Sequence, residues 1–413
     1  MQLSQEIKDE IKIRFAKLKS VEDLANLLSW IYDLKFPKRD EKSKVIILEK
    51  HLNYYAFKSE GRYNEFSIKK KSGGERKISA PRYKLKTIQK CLNEIFNAVF
   101  IPHRSATGFI SQKSIVDNAK FHIGKQFVFN TDLKDFFPST EFGRVKAVLK
   151  LEPFYLIDMS PNLESNLPKS KAGKGYLAFI IANLCCEKGC LPQGAPTSPT
   201  ITNIICQRLD KKLSKFAKSV NATYTRYADD ITFSSNKPIF NNNFKSKLIE
   251  IIELQEKFKI NFEKERLQKA GERQMVTGLV VNNKSNVERK YIKDIRFWLM
   301  CWKKFDTEAT QEKFLIQFPN KKGFLRYGGA IPQFQSYLSG KILFFGMVRG
   351  ATDAMFLKFK NEFDNLSGNP TEQVKPKITK NLSNFIKPNF DLKNVLDNWE
   401  NDGFSNAMDK LDI

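Results

Sequence analysis

The stretch TRYADDITFSS, residues 225–235, constrains the fold most, because it places two adjacent carboxylates between two strand-forming runs. Tyr227, Thr232 and Phe233 are residue types that favour strands, so Asp229 and Asp230 are predicted at the tip of a stiff hairpin. Neighbouring negative charges repel each other. The pair is therefore either a solvated turn, in which Asp is common, or a site that holds a strongly positive group.

A third carboxylate, Asp132, ends the short apolar run FVFNTD, which a Pro-Ser-Thr helix start soon follows. If this strand and the hairpin are neighbours in one sheet, Asp132, Asp229 and Asp230 meet in one place. Such a cluster calls for a hard divalent cation, and Mg²⁺ takes oxygen ligands while it keeps water and substrate phosphates. Two Mg²⁺ ions about 3.5–4 Å apart clamp the attacking and leaving oxygens of phosphoryl transfer. The alternative is that each Asp only caps a turn.

The charge balance favours a polyanionic partner. Lys and Arg total 70 against 45 Asp and Glu, a net charge of +25 over 413 residues. Neutralising phosphates releases counterions, so such an excess favours nucleic acid, although a merely basic soluble protein stays open. Hydrophobic residues make up 41% of the chain, enough for a sizeable core and against a disordered chain.

The apolar spacing predicts an α+β fold. Residues 1–57 read as amphipathic helices with a helix start at Ser20, and a hairpin is centred on Ser72-Gly73-Gly74. Helices are predicted over 84–101, in GYLAFIIANLCC, after LPQGAPTSP and around 244–257, with a strand-like QMVTGLVVNN. The order strand, helix, hairpin, helix, strand allows carboxylates at strand ends to converge.

A basic helix is predicted from Val287. Its buried stripe is Ile292, Ile295, Leu299 and Trp302, and Lys293, Arg296 and Lys303 form a basic flank. Such a helix suits a nucleic-acid backbone, and a solvated charged face is the alternative.

The cysteines, the N-terminus and the apolar runs predict a cytoplasmic protein without a membrane partner. The six cysteines lack a CxxC pair, so buried reduced thiols are favoured over a zinc site. The N-terminus has no apolar signal core, and no apolar run approaches the ~18 residues of a membrane span.

Three motifs in their order resemble the palm of reverse transcriptases. They are NTDLKDFFPS at 130–139, LPQGAPTSP at 191–199 and YADD at 227–230. NAKFH at 118–122 and VTG at 276–278 further resemble hallmarks of bacterial retron reverse transcriptases and the neighbouring defence-associated enzymes. The resemblance runs from about Glu65 to Gly350.

The resemblance implies a right-hand polymerase with fingers, a ferredoxin-like palm and a helical thumb. The corresponding regions are N-terminal helices at 1–57, fingers at 58–125, palm at 126–282, thumb at 283–350 and a C-terminal helical extension at 351–413. The extension and a polar insertion at 160–175 depart from compact retron enzymes, which leaves the subfamily open.

The resemblance also implies the metal ligands and catalytic residues. Asp132, Asp229 and Asp230 would hold two Mg²⁺ ions, for which Mn²⁺ can substitute, with the Leu133 carbonyl assisting. Lys264 matches a lysine that protonates the pyrophosphate leaving group.

Nucleotide-binding residues are implied in the same way. Phe137 matches the steric gate that excludes a 2′-hydroxyl, and Gln193 and Gly194 would lie beside the incoming nucleotide. Arg76 matches the triphosphate-binding arginine, with Lys69 or Lys70 as its companion.

Nucleic-acid contacts are implied at six positions, and two of them carry an alternative. Asn118 and His122 either hold RNA or buttress the palm. The other four are Thr277 and Gly278 near the primer backbone, and Lys293 and Arg296 in the thumb, which would track the duplex.

The resemblance thus predicts an RNA-directed DNA polymerase that copies an associated noncoding RNA into DNA from dNTPs, in anti-phage defence. A template-independent or protein-primed DNA polymerase on the same palm is one alternative, and a catalytically silent RNA-binding scaffold is another. An effector protein, or a second copy bound through residues 351–413, is the further partner left open.

Overall fold

The computed structural model describes residues 3–36, 46–58, 60–69, 73–157, 173–317 and 333–368. The chain divides into two compact units after Asn283. This division falls one residue after the predicted start of the thumb, and the other predicted boundaries stay predictions. Most of the predicted insertion at 160–175 and the extension beyond residue 368 lie outside the described residues.

Helices and strands of the first unit follow one another in a mixed order. Its helices are α1 (Gln5–Ala16), α2 (Val21–Lys35), α3 (Glu49–Phe57), α4 (Tyr83–Val99), α5 (Ile115–Lys120), α6 (Phe142–Lys150), α7 (Lys174–Cys185), α8 (Ser198–Ile205), α9 (Gln207–Ser219) and α10 (Asn242–Ile249). Its strands are β1 (Tyr63–Lys69), β2 (Glu75–Pro81), β3 (Phe127–Asp132), β4 (Thr223–Tyr227), β5 (Asp230–Ser235), β6 (Arg266–Lys269), β7 (Met275–Val276) and β8 (Leu279–Val280).

The N-terminal region is helical, as predicted, and α2 begins after Ser20. The Ser20 hydroxyl accepts a hydrogen bond from the Asp23 amide at 3.1 Å, and the Asp23 carboxylate accepts one from the Ser20 amide at 2.9 Å. This reciprocal capping box satisfies two amides that the first helical turn leaves without partners. Both α1 and α2 pack on α4, so these helices share the main core.

The predicted fingers hairpin is formed by β1 and β2. They pair antiparallel from Tyr63 opposite Pro81 to Lys69 opposite Glu75. Gly73 and Gly74 have φ values of +87° and +75°, which glycine adopts without a side-chain clash. Ser72 and Lys70 lie outside the described residues.

The central sheet has the strand order β4-β5-β3-β6, and its neighbouring strands are antiparallel. Helices α6–α9 connect β3 to β4, and α10 lies between β5 and β6. This is the ferredoxin-like β-α-β-β-α-β arrangement, so the predicted palm is confirmed. The Phe129 ring stacks on that of Phe240 at 5.5 Å, and Phe233 meets Phe244 of α10 edge-on at 5.3 Å. These ring contacts pack α10 against the sheet.

Two predicted elements differ in detail from those observed. The helix predicted around 244–257 is α10, continued by a π-helical turn at Glu250–Gln255. The strand-like QMVTGLVVNN forms the small separate hairpin β7–β8 rather than a strand of the central sheet. A turn with positive φ at Thr277 and Gly278 folds this segment back on itself.

The described part of the second unit is helical, with α11 (Arg289–Lys304), α12 (Thr307–Gln317), α13 (Phe334–Arg349) and α14 (Ala354–Leu366). In α11 the predicted stripe is buried at Ile295, Leu299 and Trp302, but Ile292 is only half-buried. Trp298 is buried instead, since its ring packs edge-on against Phe314 of α12 at 5.4 Å. The C-terminal extension begins with α14.

Cysteine burial agrees with the sequence prediction. All six cysteines are free thiols, and Cys190 is half-buried while the other five are buried. Burial raises the pKa of the Cys91 and Cys185 thiols to about 12, so they stay protonated at neutral pH. None of the helices in the described ranges combines the length and the apolar character needed to cross a bilayer.

Candidate active site

Three aspartates lie at one end of the central sheet. Asp132 is paired with Asp230 in the β3–β5 register, and Tyr227 is paired with Asp230 in the β4–β5 hairpin. Asp229 therefore lies in the two-residue turn between β4 and β5. The Leu133 amide donates to the Asp229 carbonyl at 3.0 Å, which ties the end of β3 to this turn. We call the turn, Ala228–Asp229, the catalytic turn after its predicted role. The predicted hairpin tip and the predicted convergence of the strand ends are both observed.

The aspartates of the hairpin are electrostatically strained. Burial, followed by the charges of Asp132 and Asp229, raises the pKa of Asp230 to about 7. Burial and the Asp132 charge also raise the pKa of Asp229, against the opposing charges of Lys264 and Arg76. Carboxylates in such surroundings hold their protons more tightly than carboxylates in water, unless a cation neutralises them.

Lys264 supplies one such positive charge. Its ammonium lies 3.0 Å from Asp132 Oδ2, and the residue ends a short 3₁₀ helix, Phe262–Lys264. The Asn261 amide donates to the Asp132 carbonyl at 2.8 Å. The predicted leaving-group acid is therefore an ion-pair partner of a predicted metal ligand.

The donor set fits a hard divalent cation, because it consists of carboxylate oxygens. Burial and like charges also disfavour the charged forms of Asp229 and Asp230, which a cation would neutralise. Across the described ranges, no group of three or more His, Cys, Asp or Glu side chains is already arranged to ligate a metal ion. The Lys264 ammonium holds one oxygen of Asp132. Joint metal binding by the three aspartates thus requires their side chains to rearrange, and their metal-binding role stays a prediction.

The LPQG loop lies against the fingers hairpin. The Ser79 amide of β2 donates to the Gln193 carbonyl at 2.9 Å. Gly194 has φ +135°, and a Cβ there would lie 2.8 Å from the Ser79 carbonyl oxygen. Only glycine allows this approach of two backbones, so the LPQG loop packs directly against the backbone of β2.

Arg76 and Lys69 are both exposed on the fingers hairpin. The Arg76 charge partly offsets the rise in the pKa of Asp229 that burial and the Asp132 charge cause. Lys69 lies on the neighbouring strand β1. It follows Ile68, which is paired with Arg76.

Phe136 and Phe137 differ in burial. Phe136 is 4% exposed and belongs to the core, whereas Phe137 is half-buried. The Phe137 ring lies 6.1 Å from that of Phe109, which is 46% exposed and has φ +60°. An aromatic residue in the left-handed region is unusual, and Phe109 is a neighbour of the gate position that the sequence analysis missed.

Asn118 and His122 are both fully buried. The two ring nitrogens of His122 lie 2.7 Å from the hydroxyls of Ser234 and Thr225, so His122 bridges the two strands of the catalytic hairpin. The Thr107 hydroxyl lies 2.7 Å from Asn118 Oδ1. The burial of both side chains favours the buttressing alternative, and their contact with RNA stays a prediction.

Thr277 and Gly278 form the turn of the β7–β8 hairpin with φ values of +47° and +80°. The left-handed region is unfavourable for a β-branched residue. The Thr277 hydroxyl donates to the Ile115 carbonyl of α5 at 3.1 Å, which holds the turn beside the helix that carries Asn118. Gly278 is exposed, and its contact with a primer stays a prediction.

Lys293 and Arg296 lie on α11 of the second unit. Both are exposed, whereas Ile295 and Leu299 of the same helix are buried. Their exposure is compatible with the predicted contact with a duplex.

Two further residues behind the catalytic turn were missed by the sequence analysis. Arg226 is 0% exposed and Asp210 is 1% exposed. A charged residue inside an otherwise strand-forming run, directly before YADD, was the available signal for Arg226. Asp210 lies on an amphipathic helix, where nothing local marks it.

A comparison with known families matches residues 68–279 to the reverse transcriptase (RNA-dependent DNA polymerase) family. The retron Mx162 reverse transcriptase of Myxococcus xanthus is 39% identical over 248 residues, which are 56% of this chain and 50% of that protein. The retron Ec86 reverse transcriptase of Escherichia coli is 31% identical over 59% of this chain and 71% of its own length. The chain spans about half the length of the Myxococcus relatives it matches, at 50% and 53%.

Among solved structures, a telomerase from Candida albicans in complex with a fragment of telomeric RNA aligns with 74% of this chain and 63% of its own. The alignment has 12% identity and a TM-score of 0.38, which is too low to support a conclusion.

Proposed function

The chain belongs to the retron reverse transcriptases, and on that premise we propose that it is an RNA-directed DNA polymerase. It copies an associated noncoding RNA into DNA from dNTPs by nucleotidyl transfer at two Mg²⁺ ions, which Mn²⁺ can replace. Reverse transcriptases as a family use divalent metal ions. One observation carries the proposal: Asp132, Asp229 and Asp230 lie together at the end of β3 and β5.

The carboxylates of Asp132, Asp229 and Asp230 would hold the metal ions, with the Leu133 carbonyl beside them. When bound, the ions supply charge stabilisation to the attacking hydroxyl and the leaving pyrophosphate. Lys264 is near enough to Asp132, at 3.0 Å, to deliver a proton to a leaving group at this end of the sheet.

The fingers hairpin and the LPQG loop would bind the incoming nucleotide. Arg76 offers a planar guanidinium that suits the oxygens of a triphosphate, and exposed Lys69 adds a second charge. Gln193 and Gly194 would lie against the nucleotide. Phe137, which is only half-buried, has ring surface available to exclude a 2′-hydroxyl and so to select dNTPs.

The excess of basic residues would bind the template and the product. Lys293 and Arg296 would contact the phosphate backbone, and Thr277 and Gly278 would lie near the primer. The proposal includes a cytoplasmic location and a role in anti-phage defence. Identification of the co-purified nucleic acid and protein would show whether the primer is an RNA 2′-hydroxyl or a protein hydroxyl. It would also show whether a partner binds residues 351–413.

The decisive experiment uses the full chain purified with its bound RNA, Mg²⁺ and labelled dNTPs. Wild-type protein is expected to incorporate label, and Asp229→Ala/Asp230→Ala to lose incorporation while it retains the RNA. Equal incorporation by both proteins would refute the metal-site assignment. An inactive wild type that binds RNA would support the scaffold alternative.

Pretreatment with ribonuclease separates template-directed from template-independent synthesis. Loss of incorporation, together with product sequences complementary to the co-purified RNA, supports copying. Undiminished synthesis of DNA unrelated to that RNA would favour the template-independent alternative.

A further inference from the structure

Arg226 is a fully buried charged residue placed three positions before Asp229. Its side chain is 0% exposed, and fully buried arginines are rare unless they are paired. The sheet places it in β4, at the strand end that leads into the catalytic turn. A charge in this position needs partners, and its partners include the catalytic turn itself.

Two of the guanidinium nitrogens bind Asp210 of α9 as a fork. Nε donates to Oδ1 at 2.8 Å and Nη2 donates to Oδ2 at 2.7 Å. Asp210 Oδ1 also accepts a hydrogen bond from the Tyr224 hydroxyl at 2.7 Å. Bidentate pairing of this kind fixes the plane of the guanidinium as well as its position.

The remaining nitrogen reaches the catalytic turn. Nη1 donates to the Ala228 carbonyl at 3.0 Å and to Asn203 Oδ1 at 3.1 Å. Ala228 has φ +58°, a left-handed conformation that is unfavourable for a residue with a side chain. Because the Ala228 carbonyl belongs to the peptide that joins Ala228 to Asp229, this hydrogen bond orients the backbone from which the Asp229 carboxylate projects.

The backbone of Arg226 is held from its other side. Its amide donates to the Ser105 carbonyl at 2.8 Å, and its carbonyl accepts from the Thr107 amide at 2.9 Å. Asn203 closes the network by donating to the Gly108 carbonyl at 3.0 Å. Arg226, which donates to the catalytic turn, is thereby held by the loop at 105–108 and by helices α8 and α9.

Stability alone is a weak reason for such a pair. Hydrophobic residues of similar volume often replace a buried ion pair with no loss of stability, and Arg226 lies within a well-packed core. What an apolar side chain cannot supply is a rigid donor to the Ala228 carbonyl.

We propose that Arg226 and Asp210 form a positioning pair, which sets the peptide plane leading into Asp229 and thereby the geometry of the metal site. Asp210 orients the guanidinium, and Arg226 orients the turn. The inference rests on the proposed function in one respect, that Asp229 is a metal ligand.

The test compares Arg226→Met/Asp210→Leu with wild type. Metal binding is measured by calorimetric titration of Mg²⁺ into the protein, and turnover by dNTP incorporation. We expect Mg²⁺ affinity to fall about 10–100-fold, as for other groups that orient metal ligands. The kcat should fall about 10²-fold, with a much smaller change in the KM for dNTP, since misplaced catalytic groups slow the reaction itself.

The matched control is Arg62→Met/Glu187→Leu. This pair is also buried, with 8% and 10% side-chain exposure and an Nη2–Oε2 distance of 2.9 Å, but it contacts none of the three aspartates. It should change the melting temperature about as much as the test variant does and leave the Mg²⁺ titration unchanged.

Mg²⁺ affinity and kcat within twofold of wild type in folded Arg226→Met/Asp210→Leu would overturn the proposal. If that variant does not fold, Arg226→Lys decides by the same criteria, since it keeps a cation beside Asp210 but loses the planar fork. A wild type that binds Mg²⁺ but makes no DNA would contradict the proposed function, while the calorimetric comparison would still decide the role of the pair.

Discussion

Replacement of Gly108 by alanine would test how rigidly the catalytic turn is held. A Cβ at this position would lie 2.4 Å from the Ala228 nitrogen, 2.9 Å from the Tyr227 carbonyl carbon and 3.1 Å from the Tyr227 Cα. All three atoms are backbone atoms, so no side chain can rotate away. The added methyl group must therefore displace the loop at 105–108, the catalytic turn or both.

The size of the displacement follows from these distances. Ordinary contact begins at 3.4 Å, so loop and turn must separate by about 1 Å along the shortest contact. The loop resists the movement because two hydrogen bonds hold it. The Thr107 amide donates to the Arg226 carbonyl at 2.9 Å, and the Asn203 side chain donates to the Gly108 carbonyl at 3.0 Å. A misplacement of about 1 Å can slow a reaction about 10²-fold, and forcing a methyl group into a packed core costs about 1–3 kcal/mol.

The assay is the rate of single dNTP addition to an RNA template with its primer, at saturating Mg²⁺ and dNTP, combined with a thermal melt. Gly108→Ala is expected to lose about two orders of magnitude in rate while it remains folded at the assay temperature. Gly143→Ala is the control. Gly143 is exposed near the start of α6, and its added Cβ would meet nothing within 4 Å, so rate and stability should not fall.

One result would refute the reasoning directly. If Gly108→Ala adds dNTP within threefold of the wild-type rate and melts at the same temperature, the loop yields without moving the turn. The close approach of Gly108 to Ala228 would then have no bearing on catalysis.

Three further predictions follow from the site. Phe137→Ala should raise rNTP incorporation relative to dNTP, since the half-buried ring that faces Phe109 is removed; equal discrimination in competition assays would exclude Phe137 as the gate. Lys264→Gln should slow nucleotide addition about 10²-fold if it is the general acid and should lower the Mg²⁺ concentration for half-saturation, because no ammonium then competes for Asp132; an unchanged Mg²⁺ dependence would contradict that competition. Burial, assisted by the Lys125 charge, lowers the pKa of His122 to about 3. As the pH falls, His122 is therefore protonated in the unfolded chain at a higher pH than in the folded chain. Stability should be lost as pH falls below about 6.5, by about 1.4 kcal/mol per pH unit from this group. His122→Asn should remove that part of the slope in denaturant unfolding measured between pH 6.5 and pH 4, and an identical slope would show that His122 is not the group responsible.

Much of the palm could be predicted because its signals are local. Alternating strand-forming residues and a short turn place Asp229 and Asp230 at a hairpin tip whatever the rest of the chain does. Asp132 ends its own strand for the same reason. The capping box at Ser20 and the glycines of the fingers hairpin are equally local, since each depends on residues at most three positions apart.

The roles of polar residues in the interior depended on which surfaces are covered. Asn118 and His122 have the same side chains whether they face RNA or a packed hairpin. Only the packing of α5 and of the residues that follow it against β4 and β5 buries them. The buried stripe of α11 shifted toward Trp298 because α12 lies on that side.

The sequence by itself determined the strand ends, the hairpin and the three carboxylates, because each arises from interactions within a few residues. Tertiary structure alone decided what acts on them. Lys264 reaches Asp132 across 132 positions, Arg226 pairs with Asp210 across 16, and Gly108 meets Ala228 from a separate loop. Such contacts exist only after the sheet and its helices have packed, since packing both removes water from these groups and provides the partners that replace it.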